Sequence, residues 1–306
     1  MLEALRQRCR KLLEDKTVQL IIGYGQTAAH DPAFPLFITQ PDEVAQLVWN
    51  EQCFCNLTKY LLKPEIRALG KPAIILKGCD ERALQVLQQE SQINRAEIYV
   101  LGMVCQGVGR PRAPKCESCD VPVPRWADEV IGTPHAPRED QVERGPQSDL
   151  SRSERSTLAP RYAALETFLK KSPEERLAYW KHELSRCIKC YACRAVCPMC
   201  YCNRCIVDKN RPIAIDTSPT LKGNFAWHIS RAFHLAGRCV GCDECTRACP
   251  AGINLRLLNL ALAQVGEEEF QFRPGMEPSA QAIIGAYSLT DRSEERRVGK
   301  ECRSRW

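Results

Sequence analysis

Cysteine spacing carries most of the chemistry in this chain. Residues 187–198 read CIKCYACRAVCP and residues 239–250 read CVGCDECTRACP. Both runs are C-x2-C-x2-C-x3-C-P, the bacterial ferredoxin spacing for [4Fe–4S] clusters. Three thiolates on a tight loop reach three irons of one cube. The fourth, followed by a proline that ends the turn, points away toward a neighbouring cube. The expected assignment is therefore crossed: Cys187, Cys190 and Cys193 with Cys249, and Cys239, Cys242 and Cys245 with Cys197. Structural zinc also uses C-x2-C pairs, but it needs two pairs per site and has no use for a third step or for C-P. Two cubes in one compact unit imply electron transfer between sites.

Other thiols are harder to assign. Cys200, Cys202 and Cys205 extend the first run; they could ligate a further cluster, replace Cys197, or shield the cube, and we expect a supporting role. Cys79, Cys105, Cys116 and Cys119 form a second group, two at predicted strand ends and two as C-x2-C. A third [4Fe–4S] cluster would use all four. The alternative is two buried small hydrophobes and an incidental pair. Cys53 and Cys55 stay unplaced. The histidines do not cluster in sequence, and His228 and His234 are expected to pack. Gly241 and Ala192 are expected to leave room for backbone N–H groups near the sulfides. No Ser/His/Asp triad, no paired carboxylates and no G-x-G-x-x-G in context stand out, so no catalytic residue is assigned.

The elements that must position these thiols follow from hydrophobic periodicity. Leu2 to Glu14 places Leu2, Leu5, Cys9, Leu12 and Leu13 at helical spacing, so Cys9 reads as core. Residues 17–23 and 34–39 read as strands, and 42–49 and 56–62 as helices. Residues 71–77 form a buried strand. The chain then turns at Gly78-Cys79-Asp80 into a helix, with Asp80 as N-cap, and 97–103 is the next strand. Strand, helix, strand over this length is a βαβ unit with a parallel sheet. Its carboxyl edge, where open α/β sheets place ligands, receives Cys79 and Cys105. Ser172, Pro173 and Glu175 spell a capping box opening a helix that runs into Cys187. Helices over 224–235 and 255–265 flank the second run.

Length and composition set the frame. The 306 residues, 44% hydrophobic and 26% charged, suit two domains with their own cores. An α/β N-terminal domain with a parallel sheet is expected over 1–122, a Pro/Arg/Glu/Ser-rich linker over 123–160, and a mainly α dicluster ferredoxin-like domain over 161–270. Of the 19 cysteines, eleven lie between Cys187 and Cys249. The charged N-terminus lacks an apolar signal-peptide region, and no apolar stretch could span a bilayer. The expectation is a cytoplasmic chain with reduced, metal-holding thiols and no direct membrane insertion. The last fifteen residues, RSEERRVGKECRSRW, look like an in-frame translation of a sequencing-library adapter, so 292–306 is set aside as non-native. The segment takes six of 43 basic and three of 37 acidic residues, leaving 37 against 34, too even to argue for nucleic acid.

Taken together, LKGCDERAL, INRAEIYVLGMVCQGVG and KCESCDVPVP resemble the N-terminal domain of the deazaflavin-dependent hydrogenase/dehydrogenase beta subunit family, which includes formate dehydrogenase beta-type subunits. Its relatives carry KGCD, then G-x-x-C-x-G, then C-x2-C-x2-P, matching Cys79, Cys105, Cys116 and Cys119. The C-terminal runs are similar to the dicluster module appended in such subunits. The resemblance covers most of residues 15–265. It implies an electron-transfer subunit of an anaerobic redox complex (hydrogenase, formate dehydrogenase or a related reductase), partnered by catalytic or flavoprotein subunits. The other reading is a flavin-containing oxidoreductase acting directly on a deazaflavin or nicotinamide. Family members commonly bind a flavin (FAD). Here the segment between Gly107 and Cys116 is short, and the helix start at Gly78 to Asp80 would be the place for its phosphates.

Overall fold

The computed structural model describes residues 1–133, 160–205, 215–216 and 218–283. Part of the expected linker and the whole 292–306 segment lie outside them. Helix α1 (Leu2–Glu14) buries Leu5, Cys9, Leu12 and Leu13, the face its periodicity dictates. It packs on a five-stranded sheet of order β2-β1-β3-β4-β5, with β1 Leu20–Gly25, β2 Phe34–Ile38, β3 Pro72–Leu76, β4 Tyr99–Met103 and β5 Glu129–Ile131. β1, β3, β4 and β5 are parallel, in the registers Ile21↔Ala73, Ile74↔Val100 and Gly102↔Val130.

The sheet is mixed rather than parallel, because β2 runs antiparallel to β1. The connection from Gly25 to Phe34 is too short for a crossover helix, so the chain can only fold back. β5 corrects the expected linker, since Glu129–Ile131 pairs with Leu101–Met103 inside the sheet. The two segments read as helices, 42–49 and 56–62, are 3₁₀ turns at Pro41–Gln46 and Leu57–Leu62. Leu20, Ile21, Ile22, Ile74, Ile75, Val100 and Leu101 form the core with Leu5, Cys9 and Cys53. Cys53 is thus a buried small hydrophobe.

Helix α2 (Gly78–Gln89) follows β3. Asp80 does not cap it. Its carboxylate is fully buried and pairs with the equally buried Lys77 Nζ at 2.7 Å, while Lys77 also donates to the Tyr24 hydroxyl and, at 3.1 Å, to the Cys55 carbonyl. A buried ion pair is tolerated only when such further hydrogen bonds satisfy it.

The second half is helical. In α3 (Pro173–Ser185) the Ser172 hydroxyl accepts from the Glu175 N–H at 3.2 Å and the Glu175 carboxylate accepts from the Ser172 N–H at 2.7 Å. α4 (Leu221–Leu235) and α5 (Leu255–Phe270) enclose the second cysteine run. Basic side chains of the first half fasten the loops of the second. Lys59 donates to the Cys200 carbonyl at 2.8 Å, Arg82 to the Val240 carbonyl at 3.0 Å, and Lys115 to the Cys242 carbonyl at 2.9 Å. Asp120 holds Arg273 through both carboxylate oxygens. Among the described residues no helix is long and apolar enough to cross a membrane.

Candidate metal centres

The cysteines of the two ferredoxin runs stand around two cavities. Cys187, Cys190, Cys193 and Cys249 line one, together with Trp227, His228 and Ile253. Cys197, Cys239, Cys242 and Cys245 line the other, with Arg231, Asn259 and Leu260. Each set thus takes three thiols from one run and the C-P thiol of the other. Among the described residues no three His, Cys, Asp or Glu side chains converge as they would on a single metal ion.

The backbone of the two runs repeats. Lys189 and Gly241, each two residues past a first cysteine, have φ of 56° and 70°; Tyr191 and Asp243 have 59° and 63°. These left-handed residues turn successive N–H groups inward, the geometry of an anion-binding nest. The N–H groups of Lys189 and Gly241 donate to the sulfurs of Cys187 and Cys239. A Cβ at Gly241 would meet nothing within 4 Å, so its backbone conformation, not crowding, calls for glycine.

Side chains add to this cradle. α4 turns Asn224, Trp227, His228, Arg231 and Leu235 to the interior. Asn224 Nδ2 donates to the carbonyls of Leu184 and Cys187 at 2.8 and 2.9 Å. His228 does more than pack. Its Nε2 lies 3.3 Å from Cys187 Sγ, and burial, with Arg231 and Lys189 nearby, pushes its pKa down to about 4. The ring is therefore neutral and can donate one N–H to the sulfur. On α5, Asn259 Nδ2 approaches Cys245 Sγ at 3.6 Å. Sequence reading missed these polar residues; the signal was a polar stripe at helical spacing immediately beside the cysteine runs.

Burial pushes the thiol of Cys193 up to about 11 and raises those of Cys242 and Cys245 as well. Cys197 goes the other way, because the Cys200 thiol hydrogen-bonds it and Arg231 adds positive charge. Buried thiols of raised pKa become thiolates only when a cation takes the proton's place, so metal entry here releases protons. Eight thiols in two sets, each ringed by N–H donors, fit two [4Fe–4S] clusters. Cys202 is exposed and Cys205 half-buried.

A third, larger cavity of about 440 Å³ opens at the carboxyl edge of the sheet. Cys79 at the start of α2, Cys105 after β4, and Cys116 and Cys119 around the short helix Pro114–Glu117 all line it. The N–H groups of Gly107 and Val108 donate to the sulfurs of Cys105 and Cys116 at 3.3 and 3.4 Å. Lys77, Arg82, Arg112, Lys115, Arg161, Arg256 and Arg273 line it with one carboxylate, Asp120, which pairs with Arg161 and Arg273, so its walls are basic. Cys239, Gly241, Arg256, Leu260 and Ala263 belong to this cavity and also to that of the second thiol set, so the two adjoin. The start of α2 does not fit a flavin phosphate. A Cβ at Gly78 would sit 2.2 Å from the Val121 carbonyl oxygen, and the first helical turn carries the buried carboxylates of Asp80 and Glu81.

The family of 4Fe-4S dicluster domains matches residues 183–253. The chain is 22% identical to the F420-dependent formate dehydrogenase subunit beta of Methanocaldococcus jannaschii, over 88% of this chain and 90% of that protein. It is 24% identical to the F420-dependent formate dehydrogenase 1 subunit beta of Methanococcus maripaludis, over 83% and 85%. These similarities span the sheet domain as well as the cysteine runs. The chain is thus similar over most of its length to two beta subunits of F420-dependent formate dehydrogenases, and its residues 183–253 match the 4Fe-4S dicluster domain.

Proposed function

We propose that this chain, an iron–sulfur electron-transfer subunit of a redox complex, holds its clusters in a row of three sites. The observation that carries this reading is the gathering of twelve thiols into three sets of four around three cavities. Cys187, Cys190, Cys193 and Cys249 hold the first cube, and Cys197, Cys239, Cys242 and Cys245 the second. Cys79, Cys105, Cys116 and Cys119 hold a third at the sheet edge. When bound, [4Fe–4S] clusters store and pass single electrons.

The chain's own residues order the row. The second set shares five lining residues with the third cavity, and Trp227 and Arg231 stand between the first set and the second. Cys190, an exposed thiol, and Ile188, 66% exposed, put the first set at the surface. That face is where a partner would exchange electrons. The basic wall of the third cavity suits an anionic occupant. The relatives' names carry formate and F420, which supports a formate-oxidising catalytic subunit as the partner. Direct flavin chemistry is the weaker reading, because the expected phosphate site at Gly78 is closed by Val121.

Anaerobic reconstitution followed by iron and sulfide assay and EPR of the reduced chain tests the proposal. Three cubes per chain are expected. Two support the dicluster sites and remove the third. Fewer than two, or stoichiometric zinc, overturns the reading.

A further inference from the structure

Arg231 is a cation without a carboxylate. It is 6% exposed and lies on the inner face of α4. Among the described residues no Asp or Glu pairs with it, and its buried Nε has no hydrogen-bond partner. One terminal nitrogen donates to the Cys193 carbonyl at 3.0 Å, and its guanidinium lies 6.0 Å from the centre of the Trp227 ring. An uncompensated guanidinium in the interior is costly. Something anionic must therefore stand close by.

The geometry says what that is. Arg231 lines the cavity of Cys197, Cys239, Cys242 and Cys245. Through Cys193 and Trp227 it also reaches the wall of the cavity of Cys187, Cys190, Cys193 and Cys249. Its electrostatic partners are the sulfurs of Cys197, Cys200 and Cys245 on one side and Cys193 on the other. Both thiol sets thus face one fixed positive charge from one side chain.

We propose that Arg231 is the shared counter-charge of the two sites, a fixed cation that raises the reduction potential of both. This rests on the assignment of two cubes to these sets. A cube held by four thiolates is an anion that gains one more negative charge when a donor gives it an electron. A cation buried beside it favours that gain, and the low local dielectric makes the effect larger than at the surface. The second site, whose cavity Arg231 lines, responds more strongly than the first. Lysine at this position keeps the charge and loses the planar guanidinium whose terminal nitrogen donates to the Cys193 carbonyl.

The test is an EPR-monitored dithionite titration of the full chain, its R231Q variant and its R231K variant, each with iron and sulfide assayed. In R231Q both signals persist and appear at lower potential. The ratio of reduced to oxidised second site at fixed poise falls at least about ten-fold, which is about 59 mV for a one-electron couple. R231K restores most of the shift. If R231Q holds no iron while R231K holds both cubes, a charge is needed for assembly, which also supports the proposal. Both cubes present in R231Q at unchanged potentials overturn it. So does loss of iron from R231Q and R231K alike, which makes the guanidinium fork a structural brace. Fewer than two cubes in the unaltered chain is a failure of the cluster assignment instead.

Discussion

The ammonium of Lys115, which lines the sheet-edge cavity of Cys79, Cys105, Cys116 and Cys119, donates to the carbonyl of Cys242 at 2.9 Å. One side chain therefore ties the third thiol set to the loop of the second. It fixes the separation between two sites through which electrons would pass, and it places a half-buried positive charge between them. K115M removes the donor and leaves the carbonyl without it. We expect a loss of about 1–3 kcal/mol in urea-induced unfolding, the usual cost of stranding one partner of a charge-assisted bond. An unchanged unfolding midpoint would falsify this coupling role.

Alkaline sensitivity is expected from the sheet core. Burial pushes the thiol of Cys9 up to about 12 and that of Cys53 up to about 11. Each is protonated in the folded chain and ionises near its ordinary value once unfolded. Their stabilising contribution is therefore complete below pH 9 and is lost as pH rises from about 9 toward 11 and 12. Unfolding free energy measured across that range should fall with pH, and a C9A variant should flatten the decline. At pH 8 neither thiol should react with iodoacetamide until urea unfolds the sheet.

How much of this was legible in the sequence depends on how local each signal is. α1, β3, α2 and β4 were readable because one buried face repeats at the helix or strand period within a single segment. β5 was not, since three residues carry no period and Glu129–Ile131 is a strand only through its pairing with Leu101–Met103. The antiparallel β2 turned on loop length rather than on composition. The cysteine runs were readable because ferredoxin spacing is a local property. Lys115 was not, because its role arises from a contact made far along the chain, and Arg231 showed only as part of a polar stripe whose partner, the Cys193 carbonyl, lies in the other run. Asp80 shows the limit in part: its position reads as a cap, but Lys77, three residues earlier, pairs with its carboxylate, and the Tyr24 hydroxyl reaches it from β1.

Iron removal should divide the molecule. The sheet core is made of apolar residues plus Cys9 and Cys53, none of which belongs to a thiol set. The small cores that hold the second half, one of them built jointly with Ala83, Val86 and Leu87 of α2, instead include Cys193, Cys242 and Cys245 among their buried residues. Anaerobic chelation should therefore abolish hydrogen-exchange protection in α4 and α5 while β1, β3 and β4 keep theirs. Equal loss in both halves would mean that the sheet domain depends on the clusters for its own stability.

The crossed grouping of thiols makes the sharpest mutational prediction, with one complication that the structure supplies. Cys249 lies beside Cys245 in sequence but lines the cavity of Cys187, Cys190 and Cys193. C249S should therefore disable the first site and leave the second, and its EPR spectrum should match that of C190S rather than that of C242S. Cys197 is the converse case, except that the Cys200 thiol already hydrogen-bonds it. Cys200 is placed to take over as fourth ligand, so C197S alone should keep much of the second signal. C197S with C200S should lose it and resemble C242S. A C249S spectrum matching C242S would show that each run serves its own cube, and the grouping around the two cavities would not then be the ligand sets.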